Sequence, residues 1–281
     1  MLRRSLIAAV ALAAVFTLAA SATPKASLPT RIVSLSPSAT EDLYAVGAGS
    51  QVVAVDDQSD YPKQAPRTKL SGFTPNVEAI ASYHPDLVLI SNDDGLTDAL
   101  AKLGIKTLLE RAPDTVAQAY EEIRQIGAAT GHAPAATKVV RGMEKQLTAL
   151  IRSVPKRSRH LKVFHELSPD FYSATSSTFI GRIYKLFGFR NIADAADSSH
   201  TGYPQLSPEY IISANPDIVV LADDVCCGQS PKTVAARPGW SQVAAVKQHR
   251  VIAVDDSIAS RWGPRIVDFA RAIAKVARQS S

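Results

Sequence analysis

A chain of 281 residues, 46% apolar and 20% charged, can bury one large or two medium cores, a balance that fits neither a disordered nor a membrane-embedded protein. Its formal net charge of +5 is spread thinly. No run of Lys and Arg is interleaved with aromatics, which argues against a nucleic-acid partner.

The first element in chain order is "MLRRSLIAAVALAAVFTLAASA". Arg3 and Arg4 precede an uncharged apolar run that ends in the small-x-small site Ala20-Ser21-Ala22. This predicts a cleavable signal peptide over residues 1–22. The rival reading, an uncleaved anchor, is disfavoured because the apolar run is short for a membrane span. No Cys lies near the cleavage site, so the expected product is extracytoplasmic, periplasmic or secreted, and not a lipoprotein. Losing Arg3 and Arg4 lowers the formal charge from +5 to +3.

"RIVSLSP" then reads as a buried strand, and "SATEDLYAVGAG" as a helix stopped by glycine. "QVVAVDD", "DLVLIS" and "KTLLE" are further short apolar runs, with helical stretches such as "TDALAKLG" between them. Strands alternating with helices predict an α/β lobe with a parallel sheet over residues 30–131. The next segment differs. Val140, Met143, Leu147, Leu150 and Val154 recur at spacings of three and four, the stripe of one long helix within residues 132–156. A second α/β series fills residues 160–281, from "LKVFHEL" to "PRIVDFARAIAKVARQ". The architecture expected is two Rossmann-like lobes joined by a single long α-helix.

One unit occurs in both series. "NVEAIASYHPDLVLIS" and "SPEYIISANPDIVVLA" each open on an N-capping residue, carry Glu two places on, and turn through Pro-Asp into a strand. Glu78 and Glu209 stand 131 positions apart, each in a first helical turn. Either alone is explained by the helix dipole. As a pair on two lobes they suit docking onto a partner with two basic sockets. The neighbouring cysteines Cys226 and Cys227 leave three readings open: a vicinal disulfide ring, two free thiols, or bridges between chains.

The segments "RIVSLSPSATE", "SDYPKQA", "NVEAIASYHPDLVLI", "LGIK", "YPQLSPEYIISANPDIVV" and "GPRIVDFA" follow one another across the chain. In that order they resemble the class III substrate-binding proteins of bacterial ABC importers for cobalamin and iron complexes, the cobalamin binders above all. The resemblance implies a ligand cleft between the lobes and delivery to an ABC transporter permease dimer with its ATPase subunits. It implies that Glu78 and Glu209 engage that permease, and that the protein is a monomer without a cofactor or metal of its own. It places aromatic ligand contacts at Tyr61, Phe171 and Tyr203, with Phe73, Arg261 and Trp262 close to others. The broad aromatic surfaces that a corrin needs fit this set.

The chain departs from the cobalamin binders at Ser91, where they carry Trp, and in lacking their paired cysteines. Haem would want an axial ligand such as Tyr61 or Tyr203. A ferric siderophore would want converging arginines, for which Arg182, Arg261 and Arg265 are candidates. A corrinoid ranks first because no dense basic set exists. An extracytoplasmic enzyme is the rival from another class. No G-x-S-x-G elbow occurs, "GAGSQV" is a poor dinucleotide loop, and the six histidines show no metal-ligand spacing.

Overall fold

The computed structural model describes residues 27–279. The expected signal peptide lies outside the described residues. Two sheets of four parallel strands organise the chain. The first contains β1 (Ile32–Ser34), β2 (Val52–Val55), β3 (Leu87–Ile90) and β4 (Lys106–Leu109), in the spatial order β2-β1-β3-β4. The second contains β5 (Lys162–Glu166), β6 (Arg190–Asn191), β7 (Ile218–Leu221) and β8 (Val251–Ala253), in the order β6-β5-β7-β8. The two orders are one permutation written twice, so each sheet has a crevice between its two inner strands where the winding reverses.

Helices α1 (Pro37–Ala45), α2 (Val77–Ala81), α3 (Leu96–Ala101) and α4 (Val116–Thr130) belong to the first series. The helix α5 (Ala133–Ser153) follows without a strand. The second series carries α6 (Phe179–Leu186), α7 (Pro208–Ala214), α8 (Asp224–Cys227), α9 (Pro231–Ala235), α10 (Ala244–Lys247), α11 (Asp256–Ser260) and α12 (Ile266–Arg278). Within α5 the stripe buries Val140, Met143 and Leu147, while Leu150 is only partly covered. These side chains join one core that includes Ile32 and Leu89 of the first sheet and Val163 and Val220 of the second. The long helix therefore packs into a core shared by both halves, and separate smaller cores close the outer faces.

The repeated unit folds alike in both halves. Asn76 and Ser207 cap α2 and α7, each accepting the backbone N–H three residues on. His84 and Asn215 then take positive φ values of 48° and 52°, which turn the chain into Pro-Asp. Asp86 accepts from the N–H groups of Thr30 and Arg31, at 2.9 and 3.1 Å. Asp217 likewise accepts from the Lys162 N–H at 2.8 Å. Each Pro-Asp turn thus ties off the start of the sheet's inner strand. The return bond is repeated too: Arg31 donates to the Tyr83 and His84 carbonyls, and Lys162 to that of Ala214. The three backbone hydrogen bonds accepted by Asp86 and Asp217 explain why Asp belongs in the motif.

Candidate functional site

Loops at the carboxyl ends of both sheets converge on one cleft, the position that open α/β sheets favour for ligands. A chamber of 630 Å³ is lined from the first sheet by Ser36, Ser38, Asp56, Phe73, Ser91 and Asn92, among others. From the second it receives Val225, Ser257, Arg261 and Trp262. A second chamber of 390 Å³ lies between Ala112–Pro113–Asp114 on one side and Thr178, Thr201 and Tyr203 on the other. Ser260 and Trp262 line both chambers, so Trp262 is the partition of the cleft.

The aromatic wall is assembled from four loops. Phe73 is 86% exposed and faces open cleft. Tyr61, whose bond to Pro62 is cis, has the Arg265 guanidinium 4.2 Å from its ring centroid. Tyr203 is half-exposed in the second chamber, and burial of its phenol raises its pKa. Phe171 is placed differently. It stacks on Trp240 with ring centroids 6.0 Å apart, lies beside Arg237, and does not line either chamber. Of the six ligand positions implied by resemblance, the structure gathers Phe73, Tyr203, Arg261 and Trp262 on the cleft wall, with Tyr61 beside it and Phe171 turned away.

Charge at the cleft is closely paired. The carboxylate of Glu41, buried on α1, receives Arg265 at 2.9 and 2.5 Å and Arg261 at 3.0 Å. Arg261 also meets Asp60 at 2.7 Å and donates to the Gln58 carbonyl at 2.9 Å. These contacts join residues more than 200 positions apart and bind the C-terminal segment to the first lobe. Behind them sit three further acids. Burial, reinforced by Glu122, pushes the Glu110 carboxyl up to about 8. Burial pushes Glu122 up to about 7, opposed by hydrogen bonding from Trp262. Asp42 rises through burial first, then through Glu41, Glu122 and Glu110.

Glu78 and Glu209 are both exposed, in the first turns of α2 and α7, and neither has an ion-pair partner among the described residues. Cys226 and Cys227 form a vicinal disulfide with Cα atoms 3.8 Å apart, next to Val225 at the cleft. Among the described residues no group of three His, Cys, Asp or Glu side chains is arranged to hold a metal ion. Sequence reasoning missed Glu41, Asp60, Asn92 and Val225. Asp60 had a local signal, standing beside Tyr61 in "SDYP"; the others had none.

Two α/β lobes with parallel sheets, a single long helix behind them and a cleft in front define a class III periplasmic binding protein. Residues 32–258 match the family described as "Periplasmic binding protein", and the chain belongs to that family of ABC-type substrate-binding proteins. An uncharacterised ABC transporter substrate-binding lipoprotein of Bacillus subtilis is 34% identical over 257 residues, 88% of this chain and 79% of the relative. A cobalamin-binding protein of Halobacterium salinarum is 33% identical over 251 residues, 86% of this chain and 68% of that one. Among solved structures, the haem-binding protein HutB of Vibrio cholerae superposes with a TM-score of 0.76 at 26% identity, covering 88% of this chain and 98% of that chain. The vitamin B12-binding protein BtuF of the same organism gives 0.72 at 23%, covering 89% and 97%, a likeness of fold.

Proposed function

We propose that this protein is the extracytoplasmic substrate-binding component of an ABC importer and that its ligand is cobalamin or a related corrinoid. The observation that carries the ligand is the cleft wall. It is broad and aromatic, carries several hydroxyl and amide groups, and its guanidiniums Arg261 and Arg265 are already paired with carboxylates. A corrin offers an extended apolar face and an edge of neutral amides, which such a wall accommodates. The relatives named for cobalamin and vitamin B12 support the same reading. Export by a signal peptide, release as a free protein and action as a monomer complete the proposal, although the Bacillus subtilis relative is named a lipoprotein.

Haem is the second reading, supported by the haem-binding structural neighbours and by Tyr61 and Tyr203 at the cleft. The raised pKa of Tyr203 weighs against it, because a ferric haem would want the tyrosinate. Calorimetry with dicyanocobinamide, cobalamin and haemin decides between them. The expected result is binding of a corrinoid at one to one, with emission of Trp262 changing on titration. Tight haemin binding with no heat from either corrinoid would replace the ligand.

The same proposal assigns Glu78 and Glu209 to the permease. Their equivalent positions, their exposure and their lack of ion-pair partners among the described residues leave two carboxylates for basic sockets, one per lobe. The double variant Glu78→Ala/Glu209→Ala is expected to keep corrinoid affinity and lose uptake through the cognate permease. Undiminished uptake would remove the docking assignment.

A further inference from the structure

The strongest unexplained feature of the cleft is the cancellation of its positive charge. Arg261 lines the chamber and Arg265 lies over the Tyr61 ring, and two carboxylates, Glu41 and Asp60, meet them. Glu41 is buried behind the arginines and holds both. Asp60 is different. Its side chain is half-exposed at the cleft lip, yet it lies 2.7 Å from Arg261 Nη1, the nitrogen that also reaches Glu41 at 3.0 Å. The remaining Arg261 nitrogen in contact, Nη2, donates to the Gln58 carbonyl. The other charged residues lining this chamber are the acids Asp56 and Asp256 and the base Arg67, so they add no net positive charge. Arg67 itself donates to the Asp57 carbonyl.

An anionic edge approaching Arg261 would find that guanidinium already paired with two carboxylates and would be repelled by Asp60. A neutral amide edge meets no such repulsion. We propose that Asp60 is a specificity-determining residue: by cancelling Arg261 it excludes ligands with anionic edges and admits amide-edged ones. This deepens the corrinoid reading and rests on it for the admitted ligand; the excluded class follows from charge alone.

The test uses the purified protein and its variants Asp60→Asn, Asp60→Ser, Arg261→Gln and Asp60→Asn/Arg261→Gln, titrated with dicyanocobinamide, haemin and a ferric tris-catecholate. Haemin carries two propionates and the tris-catecholate a larger negative charge. Either Asp60 variant leaves one positive charge uncancelled and is expected to bind both anionic probes about tenfold tighter than the parent. Its affinity for dicyanocobinamide should change by less than about threefold, because the aromatic wall is untouched. The gain must vanish in the double variant, since it is assigned to Arg261. Unchanged anion affinity in both Asp60 variants, or a gain that survives loss of Arg261, overturns the inference. A parent protein that fails to bind dicyanocobinamide refutes the corrinoid reading instead, and the anion gain through Arg261 would still establish the selectivity.

Discussion

The two sheets share one strand order but use their crevices in opposite ways. In the first, the crevice beyond β1 and β3 is open: Ser36, Ser38, Ser91 and Asn92 line the cleft there. In the second, the crevice beyond β5 and β7 is filled by protein. Arg237 enters it, bonds Glu166 at 2.7 and 2.5 Å, and lies 5.1 and 4.7 Å from the ring centroids of Phe171 and Trp240. Equal topology therefore offers two candidate sites, and side chains decide that one is a ligand wall while the other is a plug. This is why Phe171, on the plugged side, packs as scaffold.

Two buried carboxyls at strand ends, one in each lobe, are kept in contrasting ways. The second sheet neutralises Glu166 with an arginine. The first leaves Glu110, one residue beyond β4, with no cation among its contacts, and burial keeps its proton on instead. An arginine plug is rigid and charged; a protonated acid is cheap only while the pH stays low.

The largest effect should come from removing the plug. Arg237→Met strands the fully buried Glu166 next to Asp223, whose own pKa is pushed up to about 7 by burial and by Glu166. Breaking a buried pair from one side costs about 3–5 kcal/mol, which urea unfolding at pH 7 would read. Adding Glu166→Gln should recover much of that loss, because the uncompensated charge is gone. A loss below about 1 kcal/mol for Arg237→Met would mean that the crevice tolerates solvent and that the contrast between the lobes is overstated.

Much of this contrast lies beyond what a sequence displays. The α/β class, the parallel strands and α5 were legible because each rests on local periodicity, as with Val140, Met143 and Leu147. The repeated unit was legible because Asn76, Glu78, Pro85 and Asp86 recur together as Ser207, Glu209, Pro216 and Asp217. The placement of the aromatics at the cleft followed only from resemblance. What stayed hidden is long-range pairing: Glu41 and Arg261 are separated by 220 positions, Glu166 and Arg237 by 71. A buried Glu beside hydrophobic residues carries no mark of whether an arginine or a proton will neutralise it. The first lobe's unpaired acids were invisible for the same reason.

Those acids give the smaller effect, and its sign can be worked out. Glu110 has a folded pKa of about 8, above its ordinary value, so between the two the folded protein holds a proton that the unfolded chain has released. Its stabilising contribution is complete below the unfolded pKa and is lost as pH rises through the folded one. Glu122, pushed up to about 7, and Asp223 act in the same direction. His165 acts oppositely and lower down: burial drives its pKa to about 3, so its contribution grows between there and its ordinary value. Stability should therefore fall from about pH 6.5 to about pH 8, where only the acids are titrating. Glu110→Gln imitates the protonated acid and should flatten that fall. Relative to the parent, the variant should gain about 1–3 kcal/mol of stability between pH 6 and pH 9, measured as paired unfolding curves. Parallel curves across that range would show that Glu110 is ionised in the folded protein, and that the first lobe compensates the charge by a route resembling the second.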